Sequence, residues 1–165
     1  MGTTLAALYI EDDKAVCCNV GDSRVYWMRD GKFEQLSVDH SRVQQLVAMG
    51  LITKEEARTH KSRHVITQYL GIFEEEMVIE PAFTDEICLK DGDLFLLCSD
   101  GLTDMVTDEE IAEILKDGSP EEQTDRLVKR ALEHGGRDNV TVIVCQVEKK
   151  GVGAWLKGLK KSLAH

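Results

Sequence analysis

The stretch Leu94-Phe95-Leu96-Leu97-Cys98-Ser99-Asp100-Gly101-Leu102 decides how this chain is read. Five apolar residues after the turn Lys90-Asp91-Gly92-Asp93 spell a strand covered on both faces. Ser99-Asp100-Gly101 follows at once, so a carboxylate sits at the end of a rigid core strand, and Gly101 allows a tight turn or a close backbone approach. Residues 140–147 form a second almost continuously apolar strand, introduced by Arg137-Asp138-Asn139. A third aspartate, Asp22 in Gly21-Asp22-Ser23-Arg24, follows a strand over Lys14–Val20. One such aspartate alone reads as a turn former or a helix cap. Three together, each where a strand meets a turn, suit a hard divalent cation, which takes oxygen ligands and keeps several waters.

Outward from these strands, the first third reads as a β-meander. Strands are expected over residues 4–10, Lys14–Val20, 25–28 and 33–36, with the Asp30-Gly31 hairpin signal before the last. Ser41 is an expected N-cap for a helix over residues 42–49, ended by Gly50. Thr53 with Glu56 has the capping-box pattern for a second helix, Lys54–Thr59. Residues 59–64 read as a polar loop and residues 65–70 as an apolar segment ending at Gly71. Short strands follow over residues 77–83 and 86–89. Thr107 with Glu110 caps a helix over residues 108–116, and Ser119-Pro120 opens a longer one to about His134. Residues 149–165 read as a basic amphipathic C-terminal helix, with Val152, Trp155, Leu156, Leu159 and Leu163 on one face.

With 165 residues, 42% hydrophobic and 30% charged, the chain fits one globular domain with a real core. No apolar run approaches the ~20 residues of a membrane span. Five cysteines, an odd number without a CxxC spacing, read as buried reduced thiols rather than a disulfide framework, and place the chain in the cytoplasm. The net charge is −10, made up of +4 over residues 148–165 and −14 over the rest. An acidic body argues against nucleic-acid binding, which relies on basic patches. His40, His60 and His64 lack metal-ligand spacing and read as solvated or capping histidines. Arg24, Arg63 and Gln68 are assigned structural or flap roles.

Six motifs in order carry a resemblance: Gly2-Thr3-Thr4, Gly21-Asp22-Ser23-Arg24, Asp39-His40-Ser41, Val65-Ile66-Thr67 leading to Gly71, Ser99-Asp100-Gly101-Leu102 and Asp138-Asn139. From Gly2 to about Val147 the chain resembles the metal-dependent PP2C-type (PPM) serine/threonine phosphatases, in their bacterial form. The resemblance implies an α+β fold, two packed antiparallel β-sheets flanked by helices in an αββα sandwich. It implies hydrolysis of phosphoserine and phosphothreonine in proteins with Mn²⁺ or Mg²⁺ at up to three sites. Asp100 would bind the second metal and help hold the third, Asp138 would bind the second, and Asp22 the third, with Gly101 and Asn139 as neighbours in the metal loops. Residues 41–64, including Ser41, His60 and Arg63, would form the flap beside the cleft.

The family pattern also includes an N-terminal part with a phosphate-gripping arginine, an acidic metal ligand and a DGxGG motif whose aspartate bridges two metals. None of these occurs here. The resemblance therefore implies that residues 1–148 correspond to the C-terminal two-thirds of such a domain, incomplete at the N-terminus. Two-metal chemistry needs ions roughly 3.5–4 Å apart. Without a bridging carboxylate the expectation is one weak cation site and an isolated chain that is inactive or weak. The alternative is a noncatalytic remnant that binds phosphoproteins or a partner; a purely structural fragment is a third reading. Sheet edges and core left open on this reading imply a homodimer or strand exchange.

Overall fold

The two apolar strands are apolar throughout because each packs against a different layer on each face. In this computed structural model, which describes residues 2–71, 78–149, 154–157 and 161–164, β7 (Leu94–Cys98) and β8 (Val140–Lys149) pair antiparallel at the centre of one sheet. Leu94, Leu96 and Cys98, with Val140, Val142 and Val144, face a helical layer; its members α3 (Asp100–Thr103), α4 (Asp108–Ile114) and α5 (Pro120–Glu133) contribute Leu102, Ile111, Ile114, Leu127, Val128 and Ala131. The odd-numbered Phe95, Leu97, Cys145 and Val147 face a second sheet through Ala15, Cys17 and Leu89.

The meander forms as its alternation predicts. β1 (Leu5–Glu11) pairs with β2 (Lys14–Val20), and β3 (Arg24–Arg29) pairs with β4 (Lys32–Gln35). Asp30 and Gly31, at φ 51° and 76°, make the tight turn of the second hairpin. The hairpins belong to different sheets. β2 also pairs with the short strands β5 (Ala82–Phe83) and β6 (Ile87–Cys88), whereas β3 pairs with β7. Every pairing is antiparallel, and the two sheets with the helices on the β7–β8 sheet are the α+β sandwich expected. Of residues 77–83 only Ala82–Phe83 is strand; Met77 lies outside the described residues.

Both expected capping boxes are present, at Thr53 and Thr107, Ser119 forms a third with Glu122, and Ser41 caps α1 (Arg42–Ala48) by accepting from the Gln44 N–H. These helices start where the sequence says because the cap bonds satisfy otherwise orphaned backbone donors. α2 (Lys54–Thr59) packs beside α1, and neither buries a side chain completely.

The expected C-terminal helix is a correction. Ala154–Lys157 (β9) and Lys161–Ala164 (β10) are strands on the second edge of β8; the rest of that tail lies outside the described residues. Gly153 and Gly158 each cost a helix about 1 kcal/mol, and β8 otherwise offers an open ladder of backbone donors and acceptors. Among the described residues no helix is long and apolar enough to cross a membrane. All five cysteines are free. Burial pushes the thiol of Cys17 up to about 11 and that of Cys98 up to about 12.

Helices cover one side of the sandwich only, among the described residues. On the far face of the β1–β2 sheet Ala7, Cys18 and Phe83 lie side by side, next to Tyr9 and Val16. Tyr9 is 62% and Phe83 68% exposed. The outer edge of β1 pairs with no other named strand.

Candidate metal centre

Asp100 is the first residue of α3, directly after the core strand β7. A four-residue helix is not stable by itself, so its surroundings hold it. The Ser99 hydroxyl donates to the Asn139 carbonyl at 3.1 Å and accepts from the Thr141 N–H at 3.0 Å. Gly101 lies so close to Asn139 that a Cβ would collide with the Asn139 carbonyl. Close approach of backbone, which the sequence left open, is therefore what Gly101 provides. These contacts lock the Asp100 turn onto the Asp138-Asn139 turn. Asp138 is exposed and accepts from the Asn139 N–H at 2.7 Å.

Asp22 sits in the turn between β2 and β3. Gly21 adopts φ +99°, and a Cβ there would strike the Thr4 side chain. The Thr4 and Ser23 hydroxyls share a hydrogen bond of 2.8 Å. Gly2-Thr3-Thr4 thus acts as a buttress for the Asp22 turn. Arg24 leaves the turn on the other side and grips Asp39 through Nε and Nη2, at 2.7–3.0 Å. Arg24 also donates to the Tyr26 hydroxyl, which donates to Asp108 at the start of α4. The structural role expected of Arg24 is this buried ladder.

The carboxylates feel one another. Burial, then the neighbouring Asp100, pushes Asp22 up to about 6. Burial, then Asp138 and Asp104, raises Asp100 above the usual carboxylate range. The interactions run Asp22–Asp100–Asp138 with Asp100 central. Like charges forced together in a partly dry cleft are what a bound cation relieves, so the donor set fits a divalent ion. Among the described residues no three His, Cys, Asp or Glu side chains close into a metal cluster.

Residues 41–64, the expected flap, touch the end of the turn that begins at Asp100. Ser41 pairs with Ile66 across an isolated bridge, which ties the flap entry to its exit. His60 ends α2 and accepts from the Ser62 N–H, and the Arg63 N–H donates to the His60 carbonyl. His60 is therefore a capping residue, and Arg63 belongs to the same turn. Gln68 accepts from the Glu80 N–H. Two flap contacts that the sequence did not signal reach the far end of α3. Arg58 donates to the Thr103 carbonyl at 3.2 Å, and His64 lies 3.4 Å from Asp104. His40 departs from a solvated reading: it is half-buried, and both its ring and its backbone bond to Gly21.

Comparison with known proteins agrees with this fold. The family described as Protein phosphatase 2C matches residues 1–134. The serine/threonine protein phosphatase PstP of Mycobacterium tuberculosis is 44% identical over 147 residues, 89% of this chain and 28% of PstP. The protein phosphatase PhpP of Streptococcus pneumoniae is 40% identical over 151 residues, 91% of this chain and 60% of PhpP. The crystal structure of the catalytic domain of PstP in complex with two manganese ions superposes with a TM-score of 0.76 at 39% identity, covering 94% of this chain and 59% of that one. The chain thus spans well under two-thirds of the length of these relatives.

Proposed function

This chain belongs to the protein phosphatase 2C family, and from that premise we propose that it serves metal-dependent hydrolysis of phosphoserine and phosphothreonine in proteins. The observation that carries the proposal is the placement of Asp22, Asp100 and Asp138 where β2, β7 and β8 meet their turns, in a chain whose residues 1–134 match the family. Asp100 and Asp138 would hold one Mn²⁺ or Mg²⁺, and Asp22 with Asp100 another. A bound ion supplies Lewis-acid polarisation of the phosphoryl oxygen and an acidified water. The protein's own part is to orient the carboxylates through Ser99, Gly101 and Thr4, and to cover the cleft with residues 41–64. The five free thiols, buried at Cys17, Cys98 and Cys145 and exposed at Cys88, support a reducing, cytoplasmic setting.

A second reading, cation and phosphoprotein binding without turnover, draws on one observation. Among the described residues no three ligands close into a cluster, so none of them fixes two ions at the roughly 3.5–4 Å that two-metal hydrolysis uses. The test is Mn²⁺-dependent hydrolysis of a phosphothreonine peptide beside Asp100→Asn. Turnover lost on substitution supports hydrolysis. Mn²⁺ binding without turnover supports the second reading, and turnover unchanged by the substitution refutes the site.

The partner surface proposed is a second copy of this chain, seated on the open edge of β1 and the apolar face around Tyr9 and Phe83. Light scattering should report a dimer that Tyr9→Lys converts to monomer; a wild-type monomer counts against it.

A further inference from the structure

We propose that His40 is a positioning residue for Asp22, its imidazole Nδ1 holding the Gly21 N–H at the entry to the turn that carries the Asp22 carboxylate. The inference rests on the reading of Asp22 as a cation ligand. Gly21 is the residue immediately before Asp22: the ring holds the Val20–Gly21 peptide and the His40 backbone holds the Gly21–Asp22 peptide, so together they fix the turn from which the Asp22 side chain leaves. His40 takes both of its backbone groups. The Gly21 N–H donates to His40 Nδ1 at 3.2 Å, and the His40 N–H donates to the Gly21 carbonyl at 2.8 Å. Gly21 itself is buried, so its N–H depends on a protein acceptor.

The backbone of His40 is fixed independently of its ring. Asp39 is held by Arg24, the Thr67 N–H donates to the His40 carbonyl at 2.7 Å, and Ser41 caps α1. The imidazole is thus the replaceable part of the clamp. A backbone N–H always carries its hydrogen, so Nδ1 must be the bare nitrogen and Nε2 the protonated one. Partial burial lowers the His40 pKa, with Asp39 opposing, which keeps the ring neutral near pH 7.

The chemistry predicts which replacements work. An asparagine Oδ1 occupies nearly the place of Nδ1 and accepts the same bond; alanine leaves the Gly21 N–H without an acceptor. Groups that orient metal ligands typically change metal affinity 10–100-fold when removed. The experiment is a Mn²⁺ titration followed by electron paramagnetic resonance of the free ion. It uses wild type, His40→Ala, His40→Asn, Asp22→Asn and the double variant Asp22→Asn/His40→Ala, with circular dichroism as the check on folding. The expected result is at least tenfold weaker binding in His40→Ala, near-wild-type binding in His40→Asn, and no further loss from His40→Ala once Asp22 is already asparagine. A merely structural role would weaken binding in both backgrounds, because the double-mutant cycle isolates coupling to Asp22. Equal binding by wild type and His40→Ala, equal losses in the two backgrounds, or failure of His40→Asn to restore binding overturns the inference. If His40→Ala does not fold, the His40→Asn comparison and its cycle with Asp22→Asn decide it, and weak binding there counts against the inference. No bound Mn²⁺ in wild type, or an Asp22→Asn variant that binds equally, overturns the reading of Asp22 and this inference with it.

Discussion

Replacing Asp22 by asparagine should stabilise the metal-free protein at neutral pH. The Asp22 carboxyl titrates at about 6 in the fold, against an ordinary 3.8, because burial and then Asp100 disfavour its charge. With the folded pKa above the unfolded one, the folded chain holds more protons between these values, so stability falls as pH rises through them. The stability linked to this carboxyl is fully present below about pH 3.8 and lost by the time pH passes about 6. A shift of roughly two units corresponds to a ceiling of about 3 kcal/mol at 1.36 kcal/mol per unit. Because the carboxylate is partly exposed, solvent screening brings the expected gain down to about 1 kcal/mol. For a chain of this size that is a rise in Tm of about 2–4 °C. Thermal melts in chelator at pH 7.5, 6, 5 and 3.5 should show Asp22→Asn above wild type at pH 7.5, with the gap closing toward pH 3.5. Saturating Mn²⁺ should reverse the order, since a ligand at 100 times its Kd adds about 2.7 kcal/mol to the form that binds it. A variant less stable than wild type at pH 7.5 in chelator, or a gap that does not change with pH, would refute the reasoning.

Asp93→Ala should cost about 3 kcal/mol, read from the urea midpoint. Asp93 is 1% exposed, takes two bonds of 2.6 Å from Arg29 and a third from the Lys90 N–H, and its loss strands all three donors. Gly101→Ala should cost about 1–3 kcal/mol by overpacking and weaken Mn²⁺ binding as well, because the obstructing atoms are Asn139 backbone and the Asp138 turn must move; a calorimetric titration beside a melt checks both. A thiol reagent should label exposed Cys88 first in the native protein, while Cys17, Cys98 and Cys145 react only after unfolding. Rapid labelling of Cys98 in the native state would contradict its buried position between β7 and the helices.

What was legible in the sequence was whatever a short window determines. Thr53 with Glu56 and Thr107 with Glu110 announced two helix starts because both halves of each cap lie three residues apart, and Ser119-Pro120 announced a third. Leu94–Cys98 announced a doubly covered strand, though not that its even residues meet helices and its odd ones the other sheet. The C-terminal tail was misread because helical spacing of apolar residues is visible locally, whereas the free edge of β8 that recruits β9 and β10 is not. The candidate site divides the same way. Asp22, Asp100 and Asp138 stood out as aspartates at strand ends. The groups that aim and bury them are bonded across 15 to 45 positions: Arg24 to Asp39, Gly21 to His40, Ser99 to Asn139, Arg58 to Thr103. Ligand identity is thus a local property of this chain, and ligand orientation is a tertiary one. A cation site of open carboxylates depends on orientation for its affinity, since no closed cage compensates for a carboxylate that points away. The Mn²⁺ affinity of this chain should therefore respond to the distant partners, Thr4, His40 and Ser99, through the direction in which they hold Asp22 and Asp100.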